Sequence, residues 1–333
     1  MPEKPTIITL QDLKQLPIGT QFHTVAAVRH TERKTGKTGT PYLQVEVGDA
    51  IDHLNFTCFE NQQPFAFFQQ PVQRFPHIVQ LEGTVDFYNK RLSPTIKSAK
   101  SLEGEDYEYY LPKVLEGPDE ALEDLKQELQ SWIEKIEQKE LRATVQQAIS
   151  DLGSDFFDSV AAVGMHHAYV HGLLEHTVHV TRLVGALLPF YSDINADLAL
   201  AGAILHDIGK VLEYHYAPEG IERTPIGRLQ GHVALGYRLV HDAAVKSNLH
   251  PGWQERLEHI ILAHQGELEW GAAVLPSSPE AILVSLADNA DAKLAMVHTQ
   301  LKRTVATQPF SEKDPGLNTC LLTQAVPDPD EGR

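Results

Sequence analysis

Two cysteines in 333 residues, Cys58 and Cys320, are too few and too far apart in sequence for a disulfide framework, which favours a reducing compartment. Neither lies near the histidines described below, so nothing suggests a thiolate metal site. No stretch approaches the ~18 apolar residues of a membrane span, and the opening Met1-Pro2-Glu3-Lys4-Pro5 has no apolar signal core. The expectation is a cytoplasmic protein with no membrane partner. Basic charge is also scarce: 28 Lys+Arg face 45 Asp+Glu, and a net charge of −17 would ordinarily argue against a polyanionic partner. That shortage is local, because residues 1–100 hold 11 basic against 9 acidic side chains. The front of the chain is therefore the better grip for nucleic acid, and the acidic remainder needs cations at its centre to accept phosphate.

The chain is long enough for two domains, and 42% hydrophobic with 22% charged residues is ordinary for a globular protein. From Phe22 to Leu102 it reads as strands. Phe22–Val28 precedes a basic turn, Arg33 to Gly39, whose glycines allow the positive φ of a hairpin. Leu43, Val45 and Val47 then alternate with Gln44 and Glu46, the period of a half-buried strand. Leu54–Phe59 is a third strand, 61–75 an irregular helix broken by Pro64 and Pro71, Val79–Phe87 a fourth strand and Thr95–Leu102 a fifth. Three strands, a helical insert and two strands is the element order of an OB-like β-barrel, a fold that binds single strands by stacking and backbone contact. The candidate contacts are Arg33, Lys34 and Lys37 in the turn, with Phe56, Tyr88, Lys90 and Arg91 on or beside strands. The bland reading makes the aromatics core and the lysines a solvated loop.

Residues 103–118 read as a polar linker, Asp119 as an N-cap, and Leu122, Leu125, Leu129, Trp132, Ile133 and Ile136 as one face of one or two connecting helices. The expected boundaries are 1–104 for the barrel, 105–152 for linker and connector, 153–310 for an all-α domain and 311–333 for a disordered tail. Within the α domain, His176 follows Leu173-Leu174-Glu175, and His206-Asp207 end an apolar run that begins at Ala199. Residues 213–230 form a loop or hairpin that could cover a site, and His232 opens the next helix. His264 follows Leu262-Ala263, and Asp288 follows Leu286-Ala287 on a last helix, 280–305. A lone histidine in such a segment is usually structural. Five positions ordered His, His-Asp, His, His, Asp point instead to imidazole and carboxylate ligands for a first-row divalent cation.

That order resembles the HD superfamily of metal-dependent phosphohydrolases, over residues 155–305. On this resemblance one ion falls to His176, His206, Asp207 and Asp288, and a second to Asp207, His232 and His264, with Asp207 as catalytic bridge and the ions ~3.5–4 Å apart. Asp291, three residues after Asp288, is the rival for the last ligand. Lys210 could contact a phosphate oxygen, or be a cation favoured near a helix C-terminus.

The strings His166-His167-Ala168-Tyr169-Val170-His171-Gly172-Leu173-Leu174-Glu175-His176, His206-Asp207-Ile208-Gly209-Lys210, His264-Gln265-Gly266 and Asp288-Asn289-Ala290-Asp291 resemble the YhaM-type 3′-5′ exoribonucleases. That family joins an N-terminal OB fold to an HD domain. The resemblance implies hydrolysis of single-stranded RNA to nucleoside 5′-monophosphates with Mn2+, single-stranded DNA being a further candidate substrate, and it makes His166 and His167 substrate-proximal candidates. The family usually carries histidine where this chain has Gln265, a weaker neutral ligand, so one ion or two is an open choice, and a glycine where it has His171. Rival readings are an HD-type nucleotide or cyclic-nucleotide phosphohydrolase and a non-catalytic nucleic-acid-binding protein. No signature of oligomeric state is present.

Overall fold

The computed structural model describes residues 7–36, 39–72, 74, 76–88, 91–115, 117–162, 169–217, 220–304 and 309–324. The chain divides into two compact units, residues 1–117 with 216–222, and residues 118–215 with 223–333.

In the first unit a short helix α1 (Leu10–Leu13) leads into strands β1 (Gln21–Thr35), β2 (Pro41–Gly48) and β3 (His53–Phe59). Helix α2 (Gln63–Phe68), strand β4 (Ile78–Thr84), the two-residue strands β5 (Phe87–Tyr88) and β6 (Arg91–Leu92), strand β7 (Thr95–Ser101) and helix α3 (Gly104–Val114) follow. Five strands form an antiparallel sheet in the order β3-β2-β1-β4-β7. Alternation sorts the faces: Leu43, Val45 and Val47 of β2 and Leu54, Phe56 and Cys58 of β3 turn into a core that α1 and α2 complete with Leu10, Leu13, Phe65 and Phe68. The sheet is not closed. Among the described residues β3 and β7 share no ladder, and at Ala99 of β7 the Gln63 side-chain amide, from α2, accepts from the backbone N–H at 3.2 Å and donates to the carbonyl at 3.4 Å. The OB-like barrel is therefore approximate.

Two local expectations are corrected. Arg33 and Lys34 belong to β1, paired with Leu43 and Tyr42, and not to a turn; beyond β1, Gly36 N–H donates to the Thr40 carbonyl and Gly39 has the positive φ of 82°. The supposed polar linker contains α3, because Tyr107, Tyr110 and Val114, at helical spacing, bury against Val25, Ile78 and Leu102.

The second unit is helical: α4 (Leu122–Glu134), α5 (Lys139–Leu152), α6 (Ser154–Asp158), α7 (Gly172–Leu187), α8 (Ala196–Leu205) and α9 (Lys210–Glu213). A hairpin, β8 (Tyr214–Ala217) and β9 (Gly220–Arg223), precedes α10 (Pro225–Lys246), α11 (Pro251–Ala263) and α12 (Pro279–Arg303). Helix α8 is apolar on every side, and every residue from Leu198 to Leu205 is buried. A helix without a polar face must sit inside, and α8 packs against α4, α5, α7, α11 and α12. Its end therefore delivers the next residues, His206 and Asp207, to the middle of the bundle.

That helix stops at Leu205, not at Lys210; His206 is its C-cap, donating its N–H to the Gly202 carbonyl. Asp119 is not the N-cap of α4, a place held by Ala121. Its N–H instead donates to Glu175, and its carboxylate meets Lys302 at 3.0 Å and His298 at 3.1 Å. The segment expected as a disordered tail contains bridges between Phe310 and Leu322 and between Asp314 and Thr319. No helix among the described residues is long and apolar enough to cross a membrane.

Candidate metal centre

Four elements aim at the end of α8. His176 comes from the second turn of α7, Asp288 from the middle of α12, and His264 is the C-cap of α11. His232 lies in α10 just past Gly231, whose φ of 70° and ψ of 159° break the helix and let a new segment start there. Asp207 is the centre of the arrangement. Its Oδ2 lies 3.2 Å from His176 Nε2 and 3.4 Å from His206 Nε2, while its Oδ1 lies 3.5 Å from His232 Nε2 and 3.4 Å from His264 Nε2. Asp288 Oδ1 completes the first side, 3.3 Å from His176 Nε2 and 3.9 Å from His206 Nε2.

Every imidazole is oriented from behind. His206 Nδ1 is 2.8 Å from the Ala203 carbonyl and His264 Nδ1 is 2.7 Å from the Ile261 carbonyl. His232 Nδ1 is 2.8 Å from Glu213 Oε2, and His176 Nδ1 is 2.7 Å from Asp291 Oδ2. Carbonyl and carboxylate oxygens only accept, so each Nδ1 carries the proton, and in the neutral ring each Nε2 turns a lone pair inward. This is the support a metal-bound histidine requires.

Electrostatics agree. Asp207 is 1% exposed, and Lys210 Nζ lies 2.5 Å from its Oδ2. Burial would raise its pKa, but the charges of Lys210 and His206 hold it well below the ordinary carboxylate range. Burial likewise opposes ionisation of Asp288, and His176 with His206 brings it down to about 2. On His176 burial disfavours the charged form, yet Asp207, Asp288 and Asp291 raise it well above its usual value. Burial opposes the charge of Lys210 too, which the neighbouring carboxylates Asp207 and Asp288 outweigh. The carboxylates thus concentrate a demand for positive charge at one point, which a cation among the Nε2 atoms satisfies.

The donor set fits a borderline divalent cation. One ligand atom from each of His176, His206, Asp207 and Asp288 lies within 4.8 Å of the others, and so do those of Asp207, His232 and His264. Asp207, with one oxygen on each side, is the residue shared by both groups.

Other candidates fall elsewhere. Asp291 is not a ligand rival to Asp288, since it bonds His176 Nδ1 and, at 3.1 Å, His179 Nδ1 from behind. Lys210 is a buried partner of Asp207 rather than a cation at an exposed helix end. His171 takes the left-handed φ of 69° at the start of α7, which suits glycine better, and its Nδ1 lies 2.7 Å from the Phe157 carbonyl. His166 and His167 lie outside the described residues.

In the first unit, Phe56 is corrected: it is 2% exposed, its ring packed on Phe68, because it points to the core face of β3. Arg33 is exposed, while Lys34 meets Glu32 at 2.9 Å and Gln44 at 2.6 Å. Lys37 and Lys90, with the side chains of Tyr88 and Arg91, lie outside the described residues. Two aromatics were missed. Lys34 pairs with Tyr42, and Tyr42 with Phe59, across three strands, and Phe59 is 50% exposed. The period-two pattern puts both rings opposite the core side chains Leu43 and Cys58, a signal present in the sequence. Glu213, buried behind His232, had no such signal, since its contact depends on α9 meeting α10.

Residues 173–293 match the family model of the HD domain, a span that contains all six candidate ligands. The chain is 28% identical over 304 residues to the 3′-5′ exoribonuclease YhaM of Listeria innocua serovar 6a, covering 90% of this chain and 94% of that one. It is 26% identical over 296 residues to the 3′-5′ exoribonuclease YhaM of Geobacillus sp. (strain WCH70), covering 89% of each. Among solved structures, a chain of a replication protein A heterotrimer bound to single-stranded DNA aligns at 18% identity and a TM-score of 0.22, over 33% of this chain and 75% of that one. An HD domain thus encloses the candidate metal centre, in a chain similar to YhaM-type proteins over about nine-tenths of its length.

Proposed function

We propose that this protein is a divalent-metal-dependent 3′-5′ exoribonuclease, using Mn2+ to hydrolyse single-stranded RNA to nucleoside 5′-monophosphates. The observation that carries the reading is Asp207, a buried carboxylate paired with Lys210 on one oxygen only and set among four inward-facing Nε2 atoms. One ammonium does not answer a buried cluster of two carboxylates and four acceptor nitrogens, which a ligated cation would complete. The names of the relatives supply the substrate class and the direction of attack.

His176, His206, Asp207 and Asp288 would hold one ion, and Asp207, His232 and His264 a second. When bound, the ions acidify a water and offset the charge that develops on the phosphate. The chain's own groups prepare that chemistry. Asp291, Glu213 and the carbonyls of Ala203 and Ile261 keep protons on the Nδ1 atoms and lone pairs on the Nε2 atoms. Lys210 keeps Asp207 ionised, and its remaining N–H bonds can reach a phosphate oxygen at the rim.

Residues 1–104 would supply the strand-binding part and 153–310 the catalytic part. On the sheet, Tyr42 and Phe59, with ring centroids 6.3 Å apart, offer a face for stacked bases beside Lys34. The test is RNA labelled at either end, incubated with the protein and Mn2+. The 5′ label should persist in stepwise shorter products while the 3′ label leaves at once as mononucleotide. Turnover of mononucleotides but not oligomers would transfer the site to a small-nucleotide phosphohydrolase, and no turnover of either would end the enzymatic reading.

A further inference from the structure

The two groups of candidate ligands are not equivalent, and the difference lies in Gln265. Its side-chain nitrogen is 3.2 Å from His232 Nε2 and 3.0 Å from His264 Nε2. Both rings carry their proton on Nδ1, fixed by Glu213 and by the Ile261 carbonyl, so both Nε2 atoms are acceptors. The amide must therefore present its NH2 to them, because its oxygen would meet two lone pairs. One NH2 has two hydrogens, one for each ring. His232 and His264 are thereby satisfied without any cation.

On the other side nothing comparable exists among the described residues. His176 Nε2 and His206 Nε2 face each other at 3.1 Å, with Asp207 Oδ2 and Asp288 Oδ1 around them. Among the described residues no side-chain amide lies between these two rings, and positive charge relieves the crowding of acceptors there.

We propose that Gln265 makes the two cation positions unequal: the position of His176, His206, Asp207 and Asp288 binds strongly, and the position of Asp207, His232 and His264 binds only when a cation displaces the Gln265 amide. This rests on the two-ion reading of the site given above. The second cation must break two hydrogen bonds, or turn the amide so that its oxygen becomes a ligand. Two hydrogen bonds at their usual net strength correspond to a second event weaker by ~30-fold. Gln265 acts here as a positioning residue that sets ion occupancy, and a high Mn2+ concentration would convert the one-ion form into the two-ion form.

The experiment is titration of the full chain with Mn2+ alone, without RNA, followed by calorimetry and by electron paramagnetic resonance. Wild type should show one strong event and a second ~30-fold weaker. The second should broaden the six-line Mn2+ signal, since Asp207 would bridge neighbouring ions. In Gln265→Ala the gap between events should shrink to a few-fold. In Gln265→Glu, which cannot donate to the rings and adds an anionic oxygen, the second event should be stronger still. The first event is the folding control, because it needs α7, α8 and α12 correctly packed. Two equal events in wild type, or an unchanged gap in both variants, would overturn the proposal. Complete absence of Mn2+ binding would overturn it together with the metal reading. Failure to hydrolyse RNA with both events intact would remove the exoribonuclease reading alone.

Discussion

Replacing Asp291 by alanine removes the carboxylate that holds His176 from behind. Oδ2 lies 2.7 Å from His176 Nδ1 and Oδ1 lies 3.1 Å from His179 Nδ1. His176 is wholly buried, so water does not replace the lost acceptor, and the cost to stability is ~1–3 kcal/mol. The bond to His179, which is 30% exposed, adds less than ~1 kcal/mol. Freed of its anchor, His176 can rotate or change tautomer, and loss of such a support typically lowers metal affinity 10- to 100-fold, or ~1.4–2.7 kcal/mol. Mn2+ titration calorimetry measures the second quantity, and urea unfolding in the presence of a chelator measures the first. Asp291→Asn keeps one acceptor oxygen and should fall between wild type and Asp291→Ala, while His179→Ala should change Mn2+ affinity little. The reasoning is refuted if Asp291→Ala binds Mn2+ within about twofold of wild type, a change too small for a support of this kind.

Three further outcomes are expected. A Cβ on Gly209 would lie 2.0 Å from the His232 carbonyl oxygen and 2.5 Å from the Gly236 nitrogen, so Gly209→Ala must push α10 away. It should cost ~1–3 kcal/mol in thermal or urea unfolding and reduce hydrolysis more than Gly236→Ala, whose nearest contact is 3.3 Å. Arg182 donates to Glu120 and Glu128 and so holds both carboxyls below their ordinary 4.5, against the smaller opposing effect of burial. Depressed folded-state values contribute stability above pH 4.5 that is lost as pH falls through them, so the advantage of wild type over Arg182→Met, ~1 kcal/mol at neutral pH for partly exposed groups, should fade below it. Phe59→Ala should raise KM for an RNA oligomer about 5- to 100-fold, the equivalent of one stacked base, and leave mononucleotide turnover unchanged.

Much of this organisation was legible in the residues themselves. The alternation at Leu43, Val45 and Val47 and the unbroken apolar run of α8 dictate their elements, because burial on one face or on all faces leaves few other solutions. The candidate metal centre was legible as a set of residue types in order, and the structure brings those residues within reach of one another. What escaped depends on distant partners. Helix α3 looked polar because its buried tyrosines carry hydroxyl groups, and that of Tyr107 donates to the Pro76 carbonyl from inside the core. Phe56 looked available for stacking until its face of β3 was fixed by register with Val45. Glu213 reaches a histidine 19 residues away, and although Asp291 and Gln265 stood out in the sequence, their contacts with His176 and His232, 115 and 33 residues away, lie at distances where local spacing says nothing.

The central claim is that Asp207 bridges cations held by the surrounding imidazoles. Anomalous diffraction at the manganese edge from crystals grown with Mn2+ tests it most directly. The account predicts a strong peak bonded to Asp207 together with His176, His206 and Asp288, and a weaker one bonded to Asp207, His232 and His264. Peaks confined to surface carboxylates, with Asp207 bonded only to protein groups, would contradict it.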